Sequence, residues 1–388
     1  PMDALNVSNE KDQLIINRLA KGNITRQPDI FIQVSVPNEF CIDRNNKPMK
    51  PGKFNIGITA GIETNQVPPS FIEGCNRMDL IIATSEHTKA GLVSTVYDRI
   101  NNQTQQKEGD LKCETPVEVL FEGLDLDIYF KTDELDESVV NELSSIKEKS
   151  CFLFVGHWIK GGLGQDRKDV GMLIKTFCET FKNVSDRNRP GLILKTSGAG
   201  FSIMERDEIF RKIKSITAPY GNKAINVYLL HGDLSDAEMN SLYNHPKMKS
   251  MISFTKGEGF GRPLLEFGIT GKPIIASGWS GQLDFLHAEH CVLLPGQLTQ
   301  VHSSAADHFI MKESKWFTVN YQYASQVLKD IEKNYKKYIK LSRKQPKYIK
   351  DHFTLEHMTT KFSEIIEKHV KIPEAVGLKL PKLKKVEA

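Results

Sequence analysis

The hydrophobic positions of this chain switch repeatedly between two periods. "DIFIQVSV", "KFNIGITA" and "DLIIATS" are short, apolar and β-branched, and they predict buried parallel strands, since a strand covered on both faces is apolar throughout. "NEKDQLIINRLAKG" predicts a short helix ending at Gly22, and "SEHTKAGLVSTVYDR" a helix with Ser85 as its N-cap. Residues 98–114 are polar and predict a loop insertion. "PVEVLFEGLDLDIYF" closes this half with a strand and a turn. A second half opens with the strand "CFLFVGHW". Its helices are "DVGMLIKTFCETFKN", "ERDEIFRKIKSI" and "SDAEMNSLYNHP", and its further strands are "GLILKTS", "INVYLLHG" and "MKSMISFT". In the first of these helices Val170, Leu173, Ile174 and Phe177 follow helical spacing. Residues 321–371 are mostly helical in pattern, and there is no internal repeat.

This alternation is the mark of an α/β protein, and 388 residues suit two domains rather than one. The two halves meet near residues 125–150. Ligands of open parallel sheets sit beyond the carboxyl ends of the strands, so two such domains facing each other enclose a cleft. A doubly wound domain ordinarily begins with a strand and a glycine-rich turn. Here the chain opens on a helix, with Pro1 ahead of Met2, so the N-terminal half is expected to lack its first strand and loop.

Composition narrows the class. The chain is 39% hydrophobic and 26% charged, as soluble globular proteins are. No apolar run approaches the roughly 20 residues that span a bilayer, and no leader-like segment is visible, so a cytoplasmic protein without a membrane span is expected. The six cysteines are scattered with no close pair, which argues against a disulfide framework and a zinc site. The glycosylation sequons at Asn6, Asn23, Asn102 and Asn183 are then incidental. The net charge of +4 does not by itself indicate nucleic acid. Its excess lies in "YKKYIKLSRKQPKYIK", read as a solvated lysine-rich face, and in the tail "LKLPKLKK", read as a flexible end.

The chemistry concentrates in "SFTKGEGFGRPLLEFGITGKPIIASGWSG", residues 253–281. "RPLLEFGIT" reads as a short helix with Pro263 at its first position and Gly271 as its C-cap, followed by the strand "KPIIAS". The glycines before Arg262 therefore lie in a strand-to-helix turn, where backbone can approach a ligand and an anion is favoured. "GWSG" is expected to offer bare amides beside it, and two such turns suit a diphosphate. Glu266, one turn into the helix, can accept bonds from a sugar diol, and Glu258 in the turn can face the cleft. A dinucleotide fingerprint fits poorly, because the spacing is G-x-G-x-G. A glycosidase carboxylate pair leaves the anion-friendly turns unexplained. A plain glycine-rich turn with surface glutamates is the remaining reading.

"EGFGRPLLEFGITGKPIIASGWSG" resembles the E-x7-E signature of retaining GT-B glycosyltransferases of family 4, the group 1 glycosyltransferases. "FVGHWIKGGLGQDRKDVGMLIKTF" is similar to that family's diphosphate-binding segment, and the likeness runs over roughly residues 55–371. Within the family the wording is similar to members carried by tailed phages. The resemblance implies a GT-B fold of two Rossmann-like domains. Its parts would be an acceptor-side domain over 1–125, a donor domain over 126–320, helices over 321–371 crossing back to the first domain, and a basic tail over 372–388. It implies no prosthetic group. The co-substrate is a nucleotide-diphosphate sugar, UDP-sugar favoured, and the acceptor is left open among a base of phage DNA, a protein, and a surface glycan or lipid. Glu266 would hold the donor ribose and Glu258 the transferred sugar, while Lys168 with Arg167 would neutralise the departing diphosphate without a metal. Gly259, Phe260, Gly261, Arg262, Trp279, Ser280 and Gly281 would line the donor site. There are departures from the pattern. His157 stands where an arginine is usual, Arg262 where an apolar residue is usual, and Glu63 is the acceptor-side candidate in place of a histidine. Asp125 and Asp127 mimic a metal-binding D-x-D but fall in the linker, where they read as a turn. His287 and His290 read as packing residues. A non-catalytic carbohydrate- or virion-associated binding protein on the same fold is the alternative function.

Overall fold

The computed structural model describes residues 27–370, apart from 102 and 199. The helix expected over 9–22 and the tail over 372–388 lie outside the described residues. The first sheet has four parallel strands in the order β1-β2-β3-β6: β1 Ile30–Val34, β2 Phe54–Thr59, β3 Leu80–Ala83 and β6 Val117–Val119. Residues 98–114 are not a loop insertion. The antiparallel hairpin of β4 (Val96–Ile100) and β5 (Lys107–Lys112) occupies this stretch. Its polar pattern reflects a hairpin that is exposed except at the pair Tyr97 and Leu111, which packs on the core of the first domain, and Lys107 bridges Asp98 and Asp110 at 2.6 and 2.7 Å. The helix expected over 85–99 is correspondingly short. It is Glu86–Ser94, started by the Ser85 side chain, which accepts the Thr88 N–H.

The second sheet has six parallel strands: β7 Cys151–Val155, β8 Gly191–Lys195, β9 Val227–Leu230, β10 Met248–Ser253, β11 Ile274–Ser277 and β12 Val292–Leu294. Their spatial order is β12-β11-β10-β7-β8-β9. The chain lays down three strands in one direction and then crosses to the other side of β7 for the next three. That reversal between β7 and β10 is a topological switch point, where the loops leave on opposite faces and open a crevice. Residues along β7 alternate between two cores. Cys151 and Leu153 pack with Leu264, Leu265 and Phe267. Phe152 and Phe154 pack with Val170, Ile174 and Phe177. Helices therefore cover both faces, which is why these strands are apolar at nearly every position. A further hairpin, β13 (Gly296–Gln300) and β14 (Lys315–Val319), had no counterpart in the sequence reading. Its connecting loop reaches the first domain, where Phe309 meets Phe71 with ring centroids 6.0 Å apart.

The last four helices are Tyr321–Lys333, Tyr335–Ser342, Gln345–His352 and Leu355–His369. The final one leaves the second domain beside the linker, where Leu124 and Leu355 exchange backbone bonds with neighbouring strands of chain: Leu124 N–H to Phe353 O at 2.8 Å and Leu355 N–H to Leu124 O at 2.9 Å. It then lies on the first sheet. Ile365 packs there with Ile56, Leu80 and Ile82, and Phe362 and Ile366 join them. Replacing Ile365 by Ala should cost about 2–4 kcal/mol, as a buried aliphatic truncation does. Hydrogen exchange checks this: amides of 355–369 should lose protection before those of the six-stranded sheet.

A candidate active site between the domains

Two loops meet at the switch point. The loop after β7 brings His157, Arg167 and Lys168, and the loop after β10 brings Glu258 to Arg262. They line a cleft of about 490 Å³, closed on its other side by Ala60, Glu63 and Glu122 of the first domain and the linker. The Lys168 ammonium bonds Glu258 Oε1 directly. Arg167 Nη1 bonds Glu63 Oε1 at 2.5 Å across the domain boundary and lies 4.0 Å from Glu258 Oε2. The two cations and two carboxylates form one compact cluster of zero net charge. Burial pushes the Glu258 carboxyl up, but Lys168 and Arg167 outweigh that and hold it below the ordinary glutamate value. His157 is also held below its ordinary value, since burial, Arg167 and Lys168 all disfavour its protonation. Its Nδ1 lies 3.2 Å from the Ser197 hydroxyl.

The glycines of the turn serve contact between domains. A Cβ at Gly257 would stand 2.0 Å from the Glu63 carbonyl oxygen, and one at Gly259 would stand 2.3 Å from that of Ala60. The Ser85 hydroxyl donates to the Gly259 carbonyl, so a side chain of the first domain reads the turn's backbone.

Beneath the cluster lies a second ion pair, wholly buried. Lys256 Nζ is 3.4 Å from Asp169 Oδ2, with side chains 1% and 0% exposed. Tyr321 donates to the same Asp169 oxygen at 2.6 Å, and Lys256 donates to Thr318 Oγ1 at 3.0 Å. Asp169 adopts φ 54°, a left-handed conformation that Asp and Asn tolerate better than most residues. It stands at the N-cap of the helix Val170–Phe181, but its side chain does not cap. That role falls to Asp166, whose Oδ2 accepts the Val170 N–H at 3.0 Å. The Lys256 N–H also bonds the Arg167 carbonyl at 2.8 Å. The pair thus ties the residue after Lys168 to the residue two before Glu258.

Of the residues singled out from sequence, Glu258, Lys168, Arg167, His157, Gly259, Phe260, Gly261, Arg262 and Glu63 all line the cleft. Glu266 does not. Its Oε2 accepts the Tyr243 hydroxyl at 2.9 Å and its Oε1 the Arg262 Nε at 2.8 Å, so Arg262 lies over it. Two of the four amides of the "GWSG" turn are already taken. The Gly278 N–H is bonded to Leu294 O at 2.9 Å and the Gly281 N–H to Glu258 O at 3.0 Å. The Ser280 hydroxyl accepts the Glu258 N–H at 2.9 Å, and Trp279 stacks on Phe317 at 6.2 Å. This turn braces the Glu258 turn from behind. Sequence reasoning missed Glu122 and Lys195, which also line the cleft. Their only signal was position, at the linker and at the carboxyl end of a strand. Burial pushes the Glu122 carboxyl up. A neighbouring cavity of about 460 Å³, walled by Phe210, Leu229 and His231, shares Lys195, Asp233 and Leu234 with the cleft. Asp125 and Asp127 form a turn, with the Asp127 N–H on Asp125 Oδ1 at 2.9 Å. Among the described residues no group of three His, Cys, Asp or Glu side chains is placed to hold a metal.

His87 was also missed. It sits on the first domain with its ring edge-on to Trp279, centroids 4.6 Å apart, and its Nε2 is buried without a partner. Burial holds its imidazole down to about 4, against a backbone hydrogen bond at Ile62. The unfolded chain takes up this proton near the ordinary value of about 6.5. Stability present above that value should therefore be lost as pH falls from about 6.5 to about 4, by about 3 kcal/mol in all. His87→Phe should flatten this part of the curve, as read by denaturant melts at successive pH values.

Lys256→Met should destabilise the protein by about 3–5 kcal/mol, because it strands the Asp169 charge. Adding Asp169→Asn removes that charge and keeps a residue suited to the left-handed backbone, so the double variant should melt above the single one. Equal or lower melting of the double variant would show that the charges are not what matters.

No family model matches the sequence, and no curated protein is significantly similar to it. Solved structures are similar in fold. A glycosyltransferase from Rickettsia africae aligns over 95% of this chain and 84% of its own, with TM-score 0.58 and 13% identity. Sucrose-phosphate synthase from Thermosynechococcus elongatus aligns over 84% of this chain and 69% of its own, with TM-score 0.54 and 13% identity. HepE from Anabaena, solved with UDP and glucose, aligns over 92% and 76%, with TM-score 0.53 and 14% identity. At such identities the likeness is one of fold, and the fold expected from the sequence is the one found: GT-B, two Rossmann-like domains facing each other across a cleft.

Proposed function

We propose that this chain is a retaining glycosyltransferase that moves a sugar from a nucleotide-diphosphate donor, UDP-sugar favoured, without a metal. The observation that carries this reading is the convergence of Arg167, Lys168 and Glu258, from two different loops, at the switch point of the six-stranded sheet. Cations fixed at that point suit a leaving diphosphate, whose negative charge grows as the glycosidic bond breaks. Glu258, ionised and facing the cleft, is suited to accept from sugar hydroxyls. The adjoining cavity of about 460 Å³ suits the flat base of the nucleotide, with Phe210 and His231 as walls. Glu266 is assigned to the ribose diol. To reach it Arg262, whose side chain is 55% exposed, would turn outward onto the donor's phosphates. UDP is favoured by extension from HepE, which was solved with it. Under this reading the residues up to about 125 form the acceptor side, and the acceptor's class is set there.

No helix among the described residues is long and apolar enough to cross a membrane. The reading needs donor and acceptor to enter the cleft together, with Glu63 and Glu122 on the acceptor side.

Lys168→Ala provides the test. Release of UDP from a panel of UDP-sugars should fall by about a hundred- to a thousandfold in turnover, the loss typical of a preorganised charge. Donor affinity should change much less, because the ammonium meets more charge in the transition state than in the ground state. The pH optimum should move upward, since Glu258 loses the charge that holds its carboxyl down. Turnover should persist in a chelator. Full turnover of the variant at saturating donor would remove Lys168 from the reaction. Metal-restored activity would remove the metal-free mechanism.

A further inference from the structure

Residues 333–350 contain eight Lys or Arg side chains and no Asp or Glu. The whole chain has 52 basic and 48 acidic residues, so the other 370 residues carry 44 against 48, a net of −4. One short segment therefore holds a charge of +8 on an otherwise slightly acidic protein. All eight side chains are exposed. Among the described residues only Lys337 has an acidic partner, Asp330 at 3.5 Å, and that carboxylate is already bonded by Tyr338 and Asn334. The nearby Glu332 is taken by Lys249 at 3.1 Å. Asp351 is the next acidic group along the chain.

The charges are ordered. Lys336, Lys337 and Lys340 stand on the helix Tyr335–Ser342, and Lys347 and Lys350 on the helix Gln345–His352. Arg343 and Lys344 join the two helices and themselves keep helical backbone angles, φ −59° with ψ −17° and φ −79° with ψ −28°. The path is thus nearly one helix over 335–352, about 27 Å long at 1.5 Å per residue. The basic positions recur every three or four residues and so fall along one side of it. The opposite side is spent on the core through Tyr338, Ser342 and Ile349. Like charges at this spacing repel one another, which costs stability unless something outside neutralises them.

Three features identify the partner. The face carries no exposed large apolar side chain, so it has nothing to insert into a bilayer and no platform on which unpaired bases can stack. Seven of the eight groups are lysines, point charges suited to phosphates rather than to the forked reading of base edges. The charges form a row and not a disc, which suits a rod of phosphates better than a flat leaflet. We propose that this helical face binds the phosphate backbone of double-stranded nucleic acid, independently of base sequence. This does not depend on the glycosyl-transfer reading, and the test needs no enzyme activity.

Fluorescence anisotropy of a labelled random duplex of about 30 base pairs, titrated with the full chain, reads the contact directly. If five of the lysines and arginines engage, log affinity should fall with log salt at a slope of about −4.5, or about 500-fold between about 50 and about 200 mM. The triple variant Lys336→Gln, Lys340→Gln, Lys347→Gln should keep its melting temperature and reduce the slope to about −2. A second trio, Lys333→Gln, Arg343→Gln, Lys350→Gln, should act in the same direction. The proposal is overturned if the duplex is not bound at about 50 mM salt, or if both trios bind like the parent. It is equally overturned if phosphatidylserine vesicles are bound while the duplex is not.

Discussion

The candidate site depends on a buried pair of charges that does not itself line the cleft. Lys256 and Asp169 are out of water, and removing two charges from water costs several kcal/mol for each. An apolar pair of similar volume would do as well or better for stability alone. What the ion pair provides is a defined register between two loops that come from different strands. Its lysine belongs to the loop of Glu258 and its aspartate to the loop of Arg167 and Lys168. Tyr321 and Thr318 hold the pair from the side of the last hairpin and the first C-terminal helix. The visible cluster of Glu63, Arg167, Glu258 and Lys168 is therefore the upper layer of a two-layer arrangement, and the lower layer fixes where the upper one can be.

That upper layer is electrically balanced. Under the proposed function, a diphosphate arriving in the cleft would meet cations already committed to carboxylates, so its binding would be an exchange of partners rather than a filling of empty charge. The exchange crosses the domain boundary, because Arg167 is held by Glu63 of the other domain. That guanidinium thus belongs both to the charge cluster of the cleft and to the contact between the domains. The same boundary is crossed by the Ser85 bond to Gly259 and by the contact of His87 with Trp279, so two further contacts land on the two turns of the Glu258 region.

Much of this was legible in the sequence. The strands of the six-stranded sheet are apolar because they are covered on both faces, and their succession with helices set the fold class. Arg167, Lys168 and Glu258 were legible because each sits at the end of a strand or the start of a helix, where the topology gathers loops. The polar segment 98–114 was misread, since the hairpin packs little more than Tyr97 and Leu111 on the core, too few positions to show the alternation that marks a half-buried strand. The hairpin over 296–319 was missed because its buried residues are split, Trp316 packing on a small separate core and Phe317 and Val319 on the core of the six-stranded sheet. The amides of Gly278 and Gly281 were misjudged for a different reason. Sequence shows that a glycine is present but not whether its N–H already has an acceptor. Asp169 read as the first residue of a helix and Lys256 as a turn residue, and only burial shows that the two belong together.

The turn of Gly257 and Gly259 sets the gap between the domains with backbone alone. At both positions main chain of one domain lies against main chain of the other, without room for a single added carbon. The spacing is therefore independent of side-chain identity. The residues that line the cleft can diverge, and the ligands they select can change, while the distance across it stays the same. A methyl group at either glycine would work as a shim, holding the two halves of the molecule apart without altering any of the groups they present to each other.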